Sequence, residues 1–119
     1  MRENKLADLT MNLAVEVIAL CGKIKGHYAI TNQLERSATG IGANVHEANY
    51  AQSRADFINK LKIALKECYE TEYWLQLFSK VQLGDLEEIK HLYNACGTIR
   101  MMLVKSINTA SENAKENMK

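Results

Sequence analysis

Proline is missing from all 119 residues of this chain, so the commonest covalent interruption of a helix never occurs. Aromatic residues are scarce, at 7%. Together these two shortages suit long uninterrupted helices and argue against a loop-rich β fold. Charge of a dominant sign is also lacking: 15 basic and 14 acidic residues leave a net charge of +1, interspersed and not gathered into tails. No global field therefore draws nucleic acid or an anionic membrane, and any such binding must come from a local patch. Long apolar runs are absent too, none approaching the roughly 20 residues that span a bilayer. The stretch Leu13 to Cys21 is broken by Glu16, and bulky Leu20 stands where a lipoprotein cleavage box needs a small residue, which argues against a leader peptide. Three cysteines, Cys21, Cys68 and Cys96, are an odd number without paired spacing. They read as reduced, buried small side chains of a soluble cytoplasmic protein, with no disulfide, metal or redox role.

What is present is 47% hydrophobic and 24% charged residues, in a length that makes one domain, 1–119, able to bury about two thirds of its unfolded surface. The apolar residues recur at steps of three and four, the period of a helix that presents one stripe to a partner. Leu6, Leu9, Leu13, Val17, Leu20 and Ile24 mark a first helix over residues 4–24, with Met11, Val15 and Ile18 as a second stripe beside the first. Leu34, Ala38, Ile41, Val45 and Ala48 mark a second helix over 32–51, with Thr31 or Asn32 as its N-cap and Glu35 in its first turn. Phe57, Leu61, Ala64, Cys68, Thr71, Leu75 and Phe78 mark a third over 54–81, broadened by Ile58, Leu65, Tyr69, Trp74, Leu77 and Val81. Leu86, Ile89, Leu92 or Tyr93, Cys96, Ile99, Leu103 and Ile107 mark a fourth over 86–110, capped by Asp85 and followed by a polar tail, 111–119. Short connections between four such helices predict an all-α fold, an up-down-up-down antiparallel four-helix bundle. The first and third helices are apolar over more circumference than one seam requires, which asks for a further neighbour, in the chain or in another subunit.

Local signals sharpen this frame. Ser53 followed by Asp56 is a capping-box pattern that starts the third helix. Gly40 and Gly42 each cost about 1 kcal/mol in a helix interior relative to alanine, a penalty that close approach of a neighbouring helix would offset. A phosphate-cradling loop at these glycines fails, because no strand precedes them and no Gly-Lys-Thr follows. Folding the second helix back on the third about Ala51 and Gln52 puts Arg36 level with Glu67 and Asn44 level with Asn59, with a partly buried Arg36–Glu67 pair and an exposed Lys66–Glu70 pair.

Candidate chemistry is thin. Glu88 and His91 form one Glu-x-x-His motif of the kind that holds di-iron in bundles. No second motif exists, and both residues fall among the polar positions of the fourth helix, so no metal or cofactor is expected. No serine or cysteine sits at a recognisable nucleophile elbow. Asn44 and Glu47, one turn apart, could form a polar site at a subunit seam, though bonding within the neighbouring helices is the plainer role. Arg36, Arg54, Lys60, Lys62 and Lys66 could track a phosphate backbone, with Glu67, Glu70 and Glu72 interleaved among them. Gly40, Gly42, Asn44, Glu47, Ser53, Asp56, Glu67 and Trp74 are the positions expected to serve packing and capping.

The segments Arg36-Ser37-Ala38, Ile41-Gly42-Ala43-Asn44-Val45-x-Glu47-Ala48, Ser53-x-x-Asp56-Phe57-Ile58 and Ile63-Ala64-Leu65-Lys66-Glu67-x-x-Glu70-Thr71-x-Tyr73-Trp74-Leu75 resemble the bacterial four-helix bundle family of 23S rRNA intervening-sequence proteins. Accessory proteins of diversity-generating retroelements are relatives of that family, and the resemblance covers residues 5–105. It implies a non-enzymatic bundle that assembles into a homo-oligomeric ring, typically a pentamer. In the retroelement branch it implies a basic barrel that binds RNA or DNA and partners a nucleic-acid enzyme. This chain departs from the family pattern where an arginine pair is replaced by Glu35-Arg36, where basic residues are replaced by Ala51-Gln52, and where proline is replaced by Gly42. Those departures weaken the nucleic-acid expectation. The alternatives are an oligomeric protein-interaction scaffold that binds no nucleic acid and, remotely, a metal-dependent enzyme at Glu88 and His91.

Overall fold

A computed structural model describes residues 3–117, with side chains over 5–113. Helix α1 is Glu3–Gly22, α2 is Tyr28–Ala48, α3 is Arg54–Lys80 and α4 is Leu86–Asn117. Each packs on its neighbours in sequence, and α4 closes the bundle against α1. Among the described residues the close backbone approaches are all between adjacent helices and none is diagonal, so α1 and α3 stand at opposite corners of the cross-section.

The stripes read from the sequence form one core. Leu13, Val17 and Leu20 of α1 meet Leu34, Ala38, Ile41 and Val45 of α2, with Leu61, Ala64, Cys68, Leu75 and Phe78 of α3 and Leu92, Cys96, Ile99 and Leu103 of α4, all buried. Four polar residues are buried with them, Thr10, Thr31, Ser37 and Thr71. Thr71 Oγ1 and Ser37 Oγ lie 2.8 Å apart, and each also reaches a backbone carbonyl of its own helix, Glu67 O and Leu34 O. The two hydroxyls thus link α2 to α3 at a fixed register, and among the described residues every buried side-chain polar atom has a partner.

Several expected boundaries move. The second helix begins at Tyr28, four residues earlier than the expected 32, because Gly26 (φ 80°) and His27 (φ 55°) take the left-handed conformation and turn the chain directly into it. Thr31, expected as an N-cap, is instead buried inside the helix with its hydroxyl on Tyr28 O. The helix ends at Ala48, short of 51. The first helix stops at Gly22, short of 24. The fourth continues through Asn117, so most of the expected polar tail is helical. After Gly97 no glycine follows, and Glu112, Ala114, Lys115 and Glu116 are good helix formers. Residues 118 and 119 of that tail lie outside the described residues.

The α2–α3 register is also displaced. Ser37 meets Thr71, and Lys60 Nζ lies 3.0 Å from Glu47, about one turn away from the expected Arg36–Glu67 and Asn44–Asn59 levels. Helical side chains lean toward the N-terminus of their own helix, which in an antiparallel pair shifts every contact in this direction.

Candidate nucleic-acid interface

Three faces of α3 have different chemistry. Its inner face is core. Its flanks hold the acids: Glu67 and Glu70 turn toward α2 and Glu72 toward α4. Its outer ridge carries Ala55, Asn59, Lys62, Lys66, Tyr69, Tyr73, Gln76 and Lys80, every one exposed, at the three- and four-residue steps that put side chains in one row. The ridge contains three lysines and no carboxylate.

The acids are turned aside by specific partners. Glu70 accepts from the Arg36 guanidinium and, at 3.3 Å, from Trp74 Nε1. Arg36 lies only 3.9 Å from Glu67, so the expected Arg36–Glu67 pair is the weaker contact, and the expected Lys66–Glu70 pair is replaced by Arg36–Glu70. Glu72 accepts from Arg100 Nε at 3.0 Å across the α3–α4 seam. Burial, and then the charge of Glu70, outweigh Arg36 and raise the Glu67 carboxyl above the ordinary glutamate value.

The five basic candidates therefore separate. Arg36 is committed to Glu70, and Lys60 to Glu47, whose hydrogen bond raises the lysine pKa. Lys62 and Lys66 stand on the open ridge. Arg54 lies elsewhere, at the end of the bundle, where it lines a groove of about 660 Å³ with Lys5, Phe57, Met102 and Lys105. Tyr69, Tyr73 and Lys80 were not among the sequence candidates. The signal that finds them is their i, i+3, i+7 spacing from Lys66 onward, once the buried stripe has fixed which side of α3 faces outward.

The packing positions resolve individually. A Cβ on Gly40 would lie 2.8 Å from Glu67 Oε2, so this glycine makes room for a carboxylate. A Cβ on Gly42 would lie 3.4 Å from Thr10 Oγ1 and 3.6 Å from Thr10 O, which is where α1 approaches the α2 backbone. Asn44 Nδ2 donates to Gly40 O at 2.9 Å within α2. Ser53 Oγ accepts from Asp56 N at 3.0 Å, and Asp56 Oδ2 in turn accepts from Gln52 N at 3.4 Å. Asp85 caps α4 by accepting from Glu88 N at 2.9 Å.

Glu88 and His91, the two residues of the Glu-x-x-His motif, are each engaged by a neighbour. Glu88 bonds Lys23 at 2.6 Å, while His91 Nε2 lies 3.0 Å from Glu16. Among the described residues no three His, Cys, Asp or Glu side chains gather as metal ligands. All three cysteines are free and buried. Burial, with Glu35 adding to it, pushes the Cys21 thiol up to about 12. A hydrogen bond with Cys96 and then burial raise Cys68.

On the opposite corner from the ridge, α1 shows Met11, Val15 and Ile18 with 64, 57 and 50% of their surface exposed. No described helix is long and apolar enough to cross a membrane. The molecule is thus an all-α four-helix bundle whose distinctive chemistry lies on two opposed outer faces. Residues 2–105 match the family described as 23S rRNA-intervening sequence protein, and the chain belongs to that family. A solved structure from Bacteroides thetaiotaomicron, a protein of unknown function from the S23 ribosomal protein family, has 40% sequence identity and a TM-score of 0.82. The match covers 86% of this chain and 97% of that one. No curated protein matches the sequence.

Proposed function

We propose that this protein is a non-enzymatic, self-assembling accessory factor that binds nucleic acid along the outer ridge of α3. The observation that carries the reading is that Glu67, Glu70 and Glu72 stand on the flanks of α3, with Glu70 and Glu72 paired to Arg36 and Arg100, while Lys62, Lys66 and Lys80 share an exposed row that holds no carboxylate. A net charge of +1 gives little long-range attraction, so affinity rests on the local row and on its repetition in an assembly. Self-assembly through the apolar face of α1 suits this arrangement, because the diagonal placement of α1 and α3 keeps the ridge clear of that seam. A cytoplasmic ring, a pentamer by family resemblance, would present five such ridges.

The test is a titration of labelled oligonucleotides at several salt concentrations. Binding should weaken linearly in log–log form, and Lys62→Gln with Lys66→Gln should reduce the slope by about 0.7 for each phosphate left without its lysine on a single strand. No binding even at low salt would overturn the nucleic-acid reading and leave the protein-interaction scaffold in its place.

A further inference from the structure

We infer that the ridge takes an unpaired strand, with bases stacked on Tyr69 and Tyr73 and phosphates held by Lys62 and Lys66. The inference rests on the nucleic-acid reading above and adds the form of the ligand. Tyr69 and Tyr73 have 54 and 58% of their surface exposed, so both rings are open to a ligand. They stand one helical turn apart, about 6 Å along the axis. Both follow the lysines on the same row, so one continuous track of roughly 16 Å runs from Lys62 to Tyr73. Trp74 lies edge-on to Tyr73 with ring centroids 5.0 Å apart, and its Nε1 is held by Glu70. That packing braces one side of the Tyr73 ring.

The chemistry selects single strands. In a duplex, base faces are already covered by the stack and only edges and phosphates are offered, whereas an unpaired strand can lay successive base faces on aromatic rings. Phosphate contacts from lysine carry no base preference, and every base has a π face. The ridge should therefore bind unpaired strands with little dependence on sequence.

The experiment measures anisotropy of labelled 12-nucleotide oligouridylate and oligothymidylate against a 12-base-pair duplex, using the full chain. The single strands should bind more tightly than the duplex. Tyr69→Ala and Tyr73→Ala should each weaken single-strand binding by roughly 5- to 150-fold and leave duplex binding unchanged. Tyr69→Phe and Tyr73→Phe should restore it, because stacking needs the ring and not the hydroxyl. Equal affinity for strand and duplex, with no effect of the alanine variants, would overturn this inference while the lysine variants still support the nucleic-acid reading. A tyrosine variant that changes the mass of the particle in solution would also overturn it, by making the ridge a seam between copies. Loss of all binding to either probe at low salt would remove both readings together.

Discussion

Replacing Gly40 with alanine should have an effect that depends on Glu67. An alanine in a helix interior is worth about 1 kcal/mol over glycine, which for a chain of this size is a rise in Tm of about 3 to 5 °C. At Gly40 that gain is opposed, since the new Cβ would sit 2.8 Å from Glu67 Oε2 and 3.1 Å from its Cδ. The carboxylate must leave a place where its side chain is only 19% exposed and where Arg36 lies at 3.9 Å. Displacing it costs on the order of 1 kcal/mol, the scale of one hydrogen bond, so Gly40→Ala alone should be neutral or mildly destabilising. With Glu67→Ala as background the obstruction is gone and the full gain should appear. The assay is thermal and urea unfolding of the four members of the cycle at one protein concentration, because assembly makes Tm concentration-dependent. Gly42→Ala is the internal control: its Cβ meets Thr10 at 3.4 Å, an ordinary contact, so it should stabilise equally in both backgrounds. If Gly40→Ala has the same effect with and without Glu67, within about 0.3 kcal/mol, the cradle is not what holds a glycine at this position.

Three further expectations follow from the same packing. Glu67 has a raised pKa in the fold, so the native state binds its proton more tightly than the unfolded chain does. Its stabilising share is complete below the ordinary glutamate value and is lost as pH rises through the folded value; Glu67→Gln should flatten the part of a urea-midpoint profile that lies just above the ordinary glutamate value. The three buried thiols should be inert to a disulfide reagent in the native protein and should all react once denaturant is added, whereas fast labelling of Cys68 or Cys96 in buffer would contradict their placement. Gly84→Ala should destabilise by about 2 kcal/mol or more, since the residue has φ 91° and its Cβ would lie 3.2 Å from Ile24 Cδ1 and 3.3 Å from Leu20 Cδ1; chemical denaturation measures it.

The helix faces were legible because a 3.6-residue period is a local property. Leu13, Val17 and Leu20, or Leu61, Ala64 and Cys68, declare a buried side before any partner is known. Asp85 and Ser53 were legible for the same reason, since each cap bonds a residue three positions on. The start of α2 was not, because Thr31 and Asn32 have good capping chemistry and yielded to the left-handed backbone at Gly26 and His27, a conformation that composition does not display. Register was less legible still. It depends on how far side chains lean and on which hydroxyls meet, and Ser37 with Thr71 fixed it a turn from the level that counting from the hairpin suggests. The candidate interface suffered from the same blindness. Read in one dimension, Glu67, Glu70 and Glu72 interrupt the lysines; in three, the turn of the helix carries those acids to the flanks, where Arg36 and Arg100 engage Glu70 and Glu72, and a basic, tyrosine-bearing row remains. Gly40 shows the converse case, in which a residue read as a site of helix approach makes room for a single carboxylate.

Central to the proposed function is an apolar outer face of α1 that copies of the chain cover, leaving α3 outward. Light scattering coupled to size exclusion measures this directly at micromolar concentration. The native protein should have a mass several times the 13.4 kDa of one chain, and Val15→Glu with Met11→Glu should reduce it to one chain with its helix content intact. A native particle of 13.4 kDa, or an assembly that both substitutions leave unchanged, would contradict it.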